Sequence, residues 1–183
     1  MERAGLPQRK ALRLREFDYS APGYYFVTIC TVQKEPLFGS ICPVGAIHES
    51  PAVRLSPMGQ IADITVRSLP FHFQNITVEK YVIMPNHIHF ILGISQGTSG
   101  AAERAIHESP LRSSRSLYAQ VIGYLKATVS KEIHRTIMND IVIWQRGSYD
   151  HIIRDEQEFQ RIWTYIDTNP QKWEDDCYYK ESD

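Results

Sequence analysis

The sequence predicts an α+β sandwich, an antiparallel sheet with helices packed on one face. Three observations carry the prediction. Short apolar runs rich in β-branched and aromatic residues alternate with longer stretches of helical period. The two central runs are separated only by Pro85-Asn86, so they pair as neighbours. The order is strand, helix, strand, strand, helix, then a further strand and helix. At 183 residues the chain suits one domain with a sizeable core.

The first strand is expected over 24–32 (YYFVTICTV), after the turn-like Ala21-Pro22-Gly23. The Pro- and Gly-bearing stretch 33–57 reads as a variable loop or irregular hairpin. From 58 to 69, apolar Met58, Ile61, Ala62, Ile64 and Leu69 follow Pro57, as in a helix lying on a sheet. Strands are expected at 76–84 and 87–94, and a Gly/Ser/Thr-rich variable connector at 95–114. Leu117, Val121, Leu125, Val129 and Ile133 recur every fourth residue and mark a helix over 116–135. Short strands are expected at 141–144 and around Ile152-Ile153. A last helix over 155–168 is expected to stop at Asn169-Pro170.

The three cysteines, Cys30, Cys42 and Cys177, are odd in number and scattered, which excludes a disulfide framework or zinc knuckle and suits a reducing cytoplasm. No run of eighteen apolar residues predicts a membrane span, and the N-terminus lacks the apolar core of a signal peptide. A net charge of −1 excludes a uniformly basic nucleic-acid binder, but the charge is uneven. Arg9, Lys10, Arg13 and Arg15 make a basic arm of residues 1–20, and Lys126 and Lys131 belong to a second basic segment. These are candidate phosphate contacts, equally readable as solvated faces. Residues 174–183 form an acidic tail not expected to meet phosphate.

In the strand 87–94 side chains alternate, so His87, His89, Ile91 and Gly93 share one face and Ile88, Phe90, Leu92 and Ile94 share the core face. The two imidazoles are about 7 Å apart at Cα and able to converge on one ion, on a face expected to be uncovered. An isolated His-x-His is equally a pair of surface histidines; its surroundings add to the reading. The blocks RKALRLREFDYSAPGYYFVTICTV (9–32), YVIMPNHIHFIL (81–92), WQRGSYDHIIRD (144–155) and YIDTNP (165–170) resemble, in this order, the IS200-like transposases, and among them the REP-associated tyrosine transposases. These are single-strand DNA endonucleases with a His-hydrophobic-His signature.

The resemblance implies a ferredoxin-like sandwich with the histidine site on the face opposite the helices, and Tyr165 as the nucleophile. It also implies a divalent metal, Mg²⁺ or Mn²⁺, held by His87 and His89, with the side-chain oxygen of Asn169 as third ligand. The partner would be single-stranded DNA carrying a hairpin, a REP-like palindrome, met by a monomer or homodimer in the cytoplasm at the nucleoid. Cleavage would pass through a 5′-phosphotyrosine.

On the last helix Phe159, Ile162, Trp163 and Ile166 form an apolar stripe, which Tyr165 and Asn169 flank. By position alone Tyr165 is equally a boundary tyrosine, and Asn169 a plain helix C-terminal residue. His151 is a candidate for orienting DNA or assisting proton transfer, and equally for a structural role. Two rival readings stand beside the transposase. One is a hairpin-binding module of the same fold that no longer transposes. The other is a zinc hydrolase, which needs a third strong ligand that no Cys-x-x-Cys or His-Glu-x-x-His motif supplies.

The peptide AIHESP occurs at 46–51 and again at 105–110, in both variable loops, which makes His48 and His107 poor metal candidates. The self-complementary DNA string GTAGGGGCGATTCATGAATCGCCCCTAC translates as VGAIHESPL, which covers residues 44–51 and, from AIHESP on, residues 105–111. We predict that both loops are coded by copies of a mobile palindrome. Sequencing the gene tests this: near-perfect inverted repeats are expected at both loops, and unrelated codon choices in the two copies refute the idea.

Overall fold

Alternation along GYYFVTIC sends Tyr25, Val27 and Ile29 to one side of the first strand and Phe26 and Thr28 to the other. This strand, β1 (Gly23–Cys30), belongs to a computed structural model that describes residues 21–42, 52–96, 116–137 and 141–179. Arg9, Lys10, Arg13 and Arg15 and both AIHESP copies lie outside the described residues.

After β1 come a 3-10 turn (Val32–Lys34), the short paired strands β2 (Gly39–Cys42) and β3 (Ala52–Leu55), and helix α1 (Pro57–His72). Strands β4 (Ile76–Met84) and β5 (His87–Ile94) form the expected hairpin. Helix α2 (Leu117–Thr136), strand β6 (Tyr149–Ile153) and helix α3 (Glu156–Thr168) complete the order. The main sheet runs β4-β5-β1-β6, antiparallel throughout. The βαββαβ succession of its four strands with α1 and α2 is that of a ferredoxin-like sandwich. No helix among the described residues is long and apolar enough to cross a membrane.

Several boundaries differ from the sequence reading. The first strand ends at Cys30 because Thr31 turns its hydroxyl onto the carbonyls of Glu35 and Asn86, and Gln33 and Lys34 then take positive φ. The segment expected as a strand at 141–144 pairs with the sheet only at Trp144, opposite Thr31. Helix α1 runs past Pro70 to His72, since a proline in the last turn removes a single helical bond. Asn169-Pro170 ends α3, but the chain continues helically in a 3-10 turn (Asn169–Asp175) that carries proline where its missing N–H costs nothing.

The sheet is covered on both faces. Ala62, Val66 and Leu69 of α1 and Val121, Leu125, Val129 and Ile133 of α2 pack on Tyr25, Val27, Ile29, Ile88, Phe90 and Leu92. The opposite face, expected to be bare, receives α3. Its stripe of Phe159, Ile162, Trp163 and Ile166 buries against Phe26, Val82, Ile91 and Ile153. Ile166, the fully buried member, contributes roughly 1.5–3 kcal/mol, and the half-buried Phe159, Ile162 and Trp163 contribute less each. At the rim, Lys80 pairs with Asp167 and lies 5.1 Å above the Trp163 ring centroid. Strand β5 is thereby buried along its whole length.

Gly59, in the first turn of α1, is where helix meets hairpin: a Cβ there would stand 2.0 Å from the carbonyl oxygen of Phe38. Alanine gains about 1 kcal/mol of helix propensity over glycine, but this clash is with backbone, and overpacking costs about 1–3 kcal/mol. Gly59→Ala is therefore expected to lower the urea midpoint; a raised midpoint would show that the hairpin yields freely.

Candidate functional site

The tight β4–β5 turn places His87 and His89 at the start of β5, on the face that α3 covers. They are 0% and 1% exposed, not on an uncovered face as the sequence suggested, so they occupy volume in the interior. Burial disfavours the imidazolium. It pushes His87 down to about 3, with Lys34 adding repulsion, and holds His89 well below the ordinary value, where the neighbouring His87 adds to the effect and Asp176 opposes it. Both rings are thus neutral at physiological pH, as metal ligands must be.

Their orientation is fixed from behind. The Asn86 amide nitrogen donates to the carbonyls of Lys34 (3.1 Å) and Tyr178 (2.9 Å), which turns its oxygen to His87 Nδ1 at 2.8 Å. Nδ1 must then carry the proton, leaving a lone pair on Nε2. Thr28, opposite His89 in the β1–β5 register, holds His89 Nδ1 at 2.8 Å, and Nε2 of that ring faces the Tyr165 hydroxyl at 3.3 Å.

A carboxylate completes the group. Ligand atoms of His87, His89 and Asp176 all lie within 4.8 Å of one another. Asn169 reaches the same point, its amide nitrogen donating to Asp176 Oδ2 at 2.6 Å, so its own oxygen faces away. That oxygen and His87 Nε2 are buried acceptors without a hydrogen-bond partner among the described residues. Orphaned buried acceptors are costly, and the free His87 Nε2 beside a carboxylate and a second imidazole fits a divalent cation.

Tyr165 is brought here by α3, whose start is fixed by Asp155: its side chain caps the Glu158 N–H at 2.8 Å. At 39% exposure the phenol is accessible. Its ring stands edge-on to Phe26 (5.9 Å) and 5.3 Å from the His89 ring, and its hydroxyl also points to Asp176 Oδ2 at 3.4 Å. Burial, then the Asp176 carboxylate, raise its pKa well above the ordinary value, which favours the protonated phenol. Tyr178 covers the histidines, its ring 4.6 Å from that of His87, and its own pKa is pushed up to about 12, chiefly by burial.

Of the other expected residues, His151 lies in β6, its Nε2 bonded at 2.7 Å to Glu158 in the first turn of α3, which ties the strand to the helix that carries Tyr165. The Lys126 ammonium donates to the carbonyls of Gln145 and Gly147. Lys131 is exposed on α2. Sequence reasoning missed four residues. Asp176 and Tyr178 were submerged in a tail read only for its charge. Thr28 depends on the β1–β5 register, which no local pattern reveals. Asn86 was legible as a lone amide in a tight apolar hairpin, directly before a histidine.

The fold is shared with a solved REP-associated tyrosine transposase bound to a REP hairpin: the TM-score is 0.56 at 16% identity, over 88% of this chain and 73% of that one. A crystal structure of a putative transposase from Deinococcus radiodurans aligns more loosely, with a TM-score of 0.46 at 10% identity over 85% of this chain. In sequence, the chain is 32% identical over 181 residues to an uncharacterized protein of Haemophilus influenzae, a match spanning 96% of each. It belongs to the family of that protein. No family model matches the chain.

The buried neutral imidazoles make stability depend on pH. The unfolded chain takes up protons near pH 6.5, whereas folded His87 does so only near pH 3. Between these values the unfolded state binds more protons, so stability falls as pH falls, by up to roughly 1.4 kcal/mol per pH unit per histidine. Urea unfolding with a chelator present, from pH 7 to pH 4.5, is expected to show this slope, and His87→Gln/His89→Gln to flatten it. Equal slopes would mean that neither ring is buried in the neutral form.

Proposed function

We propose that the protein is a metal-dependent single-stranded DNA strand transferase of the tyrosine transposase type, which cleaves and rejoins DNA near a hairpin through Tyr165. The observation that carries this reading is the convergence of an accessible phenol on a histidine-histidine-carboxylate group, with the Tyr165 hydroxyl 3.3 Å from His89 Nε2 and 3.4 Å from Asp176 Oδ2. The shared fold with a transposase bound to a REP hairpin makes hairpin DNA the substrate class to test.

Tyr165 oxygen attacks phosphorus in line with the bond to O3′. The new bond joins the tyrosine oxygen to phosphorus, the P–O3′ bond breaks, and its electron pair stays on O3′, which takes a proton to leave a free 3′-hydroxyl. The product is a 5′-phosphotyrosine, and the reverse reaction with a second 3′-hydroxyl rejoins DNA without external energy. A raised phenol pKa opposes the first step, so the phenol needs a proton acceptor and a counterweight to the Asp176 charge. Asp176 Oδ2 is the nearest carboxylate acceptor. A divalent cation held by His87, His89 and Asp176 would offset that charge and stabilise the charge developing on the phosphate oxygens. Two imidazole nitrogens favour Mn²⁺ over Mg²⁺.

Tyr165→Phe keeps the ring against Phe26 and deletes the attacking oxygen. With hairpin DNA labelled 3′ of the nick, wild-type protein and Mn²⁺ are expected to give a denaturant-resistant adduct. The Phe variant is expected to give none, with cleavage down by roughly a thousandfold or more and hairpin affinity unchanged. Near-normal cleavage by the variant would make the enzyme a hydrolytic nuclease. Hairpin binding by wild type without any adduct would instead favour the binding module.

A further inference from the structure

Beside the metal-binding group is a second site that the strand-transfer chemistry leaves unused. From Thr28 to Thr31, β1 advances three residues, while the facing segment from Tyr149 back to Trp144 uses five, so the chain bulges away from the sheet at 145–148. Gly147 makes this possible: its φ of 84° is a left-handed conformation that side chains oppose. The carbonyls of Gln145 and Gly147, lost to the sheet, are taken up by the half-buried Lys126 ammonium at 2.7 and 2.8 Å. What remains between bulge and β1 is a cavity of about 210 Å³.

Its walls include Thr28, Lys34, Arg146, Tyr149 and Tyr178 and, among the described residues, no carboxylate. The cavities beside β4 and at the Gly23–Gly93 end include Glu79, the former also Asp63, and so repel a polyanion. Two of its walls are also walls of the metal-binding group: Thr28 holds His89 Nδ1, and Tyr178 covers His87. Tyr149, at its mouth, is 50% exposed. Arg146 has no ion pair among the described residues. A phosphate held at Tyr165 therefore has, on the other side of the His89 and Tyr178 rings, a recess with aromatic walls and a positive rim.

We propose that this recess is a base-binding subsite, which takes the unpaired nucleobase next to the scissile phosphate, with Tyr149 stacking on the base and Arg146 meeting the backbone. The inference rests on the strand-transferase reading and adds a determinant of where the nick falls. Lys126 acts as a positioning residue that holds the bulge open.

The test is binding of a hairpin with single-stranded flanks, in which an abasic residue is moved through the flanks one position at a time. One position is expected to stand out, its abasic form weakening Kd about tenfold in wild-type protein. In Tyr149→Ala/Arg146→Ala that position should match its neighbours, and Tyr149→Phe, which keeps the stacking face, should behave as wild type. The subsite is refuted if no position stands out, or if one stands out equally in the double variant. Adduct formation on the same strands reports on Tyr165 separately. Adduct without a base-dependent position removes the subsite and leaves the nucleophile; a base-dependent position without adduct does the reverse.

Discussion

Asn86 sits buried at the tip of the β4–β5 hairpin with all its side-chain polar atoms committed, two donor bonds to the Lys34 and Tyr178 carbonyls and an acceptor bond from His87. One amide thereby ties together three distant stretches of chain: the turn after β1, the start of β5, and the segment after α3. It also decides which nitrogen of His87 is free. An amide cannot exchange donor for acceptor without losing both carbonyl bonds, so the tautomer is enforced by backbone that has no part in the chemistry.

Covering both faces of β5 has a cost that the site turns to use. On one side the strand is sealed by α1 and α2, on the other by α3 and the chain that follows it, and the imidazoles lose their water. Desolvation keeps them neutral and strengthens their interaction with any charge that enters. The same burial raises the pKa of Tyr165, so one environment keeps both the imidazoles and the phenol uncharged.

The local patterns of the chain were legible and the long-range ones were not. Alternation through 87–94 placed His87 and His89 together and the core residues opposite, and the stripe from Phe159 to Ile166 gave α3 its buried face. The sequence does not say onto which face of the sheet α3 folds back, and from that single choice follow the burial of the histidines and the arrival of Asp176. Thr28 opposite His89 is a matter of register, fixed only when β1 and β5 pair. The cavity beneath Gly147 depends on two residues left over in a pairing between distant segments, which no window of local sequence can count.

The site draws on residues far apart in the order of synthesis. Tyr25, Val27, Ile88, Phe90 and the packing residues of α1 and α2 all precede residue 134, so most of the larger core can begin to form while the rest of the chain is still being made. Tyr165, Asn169, Asp176 and Tyr178 emerge only afterwards. A nascent chain therefore acquires its histidines long before the groups that complete and cover them.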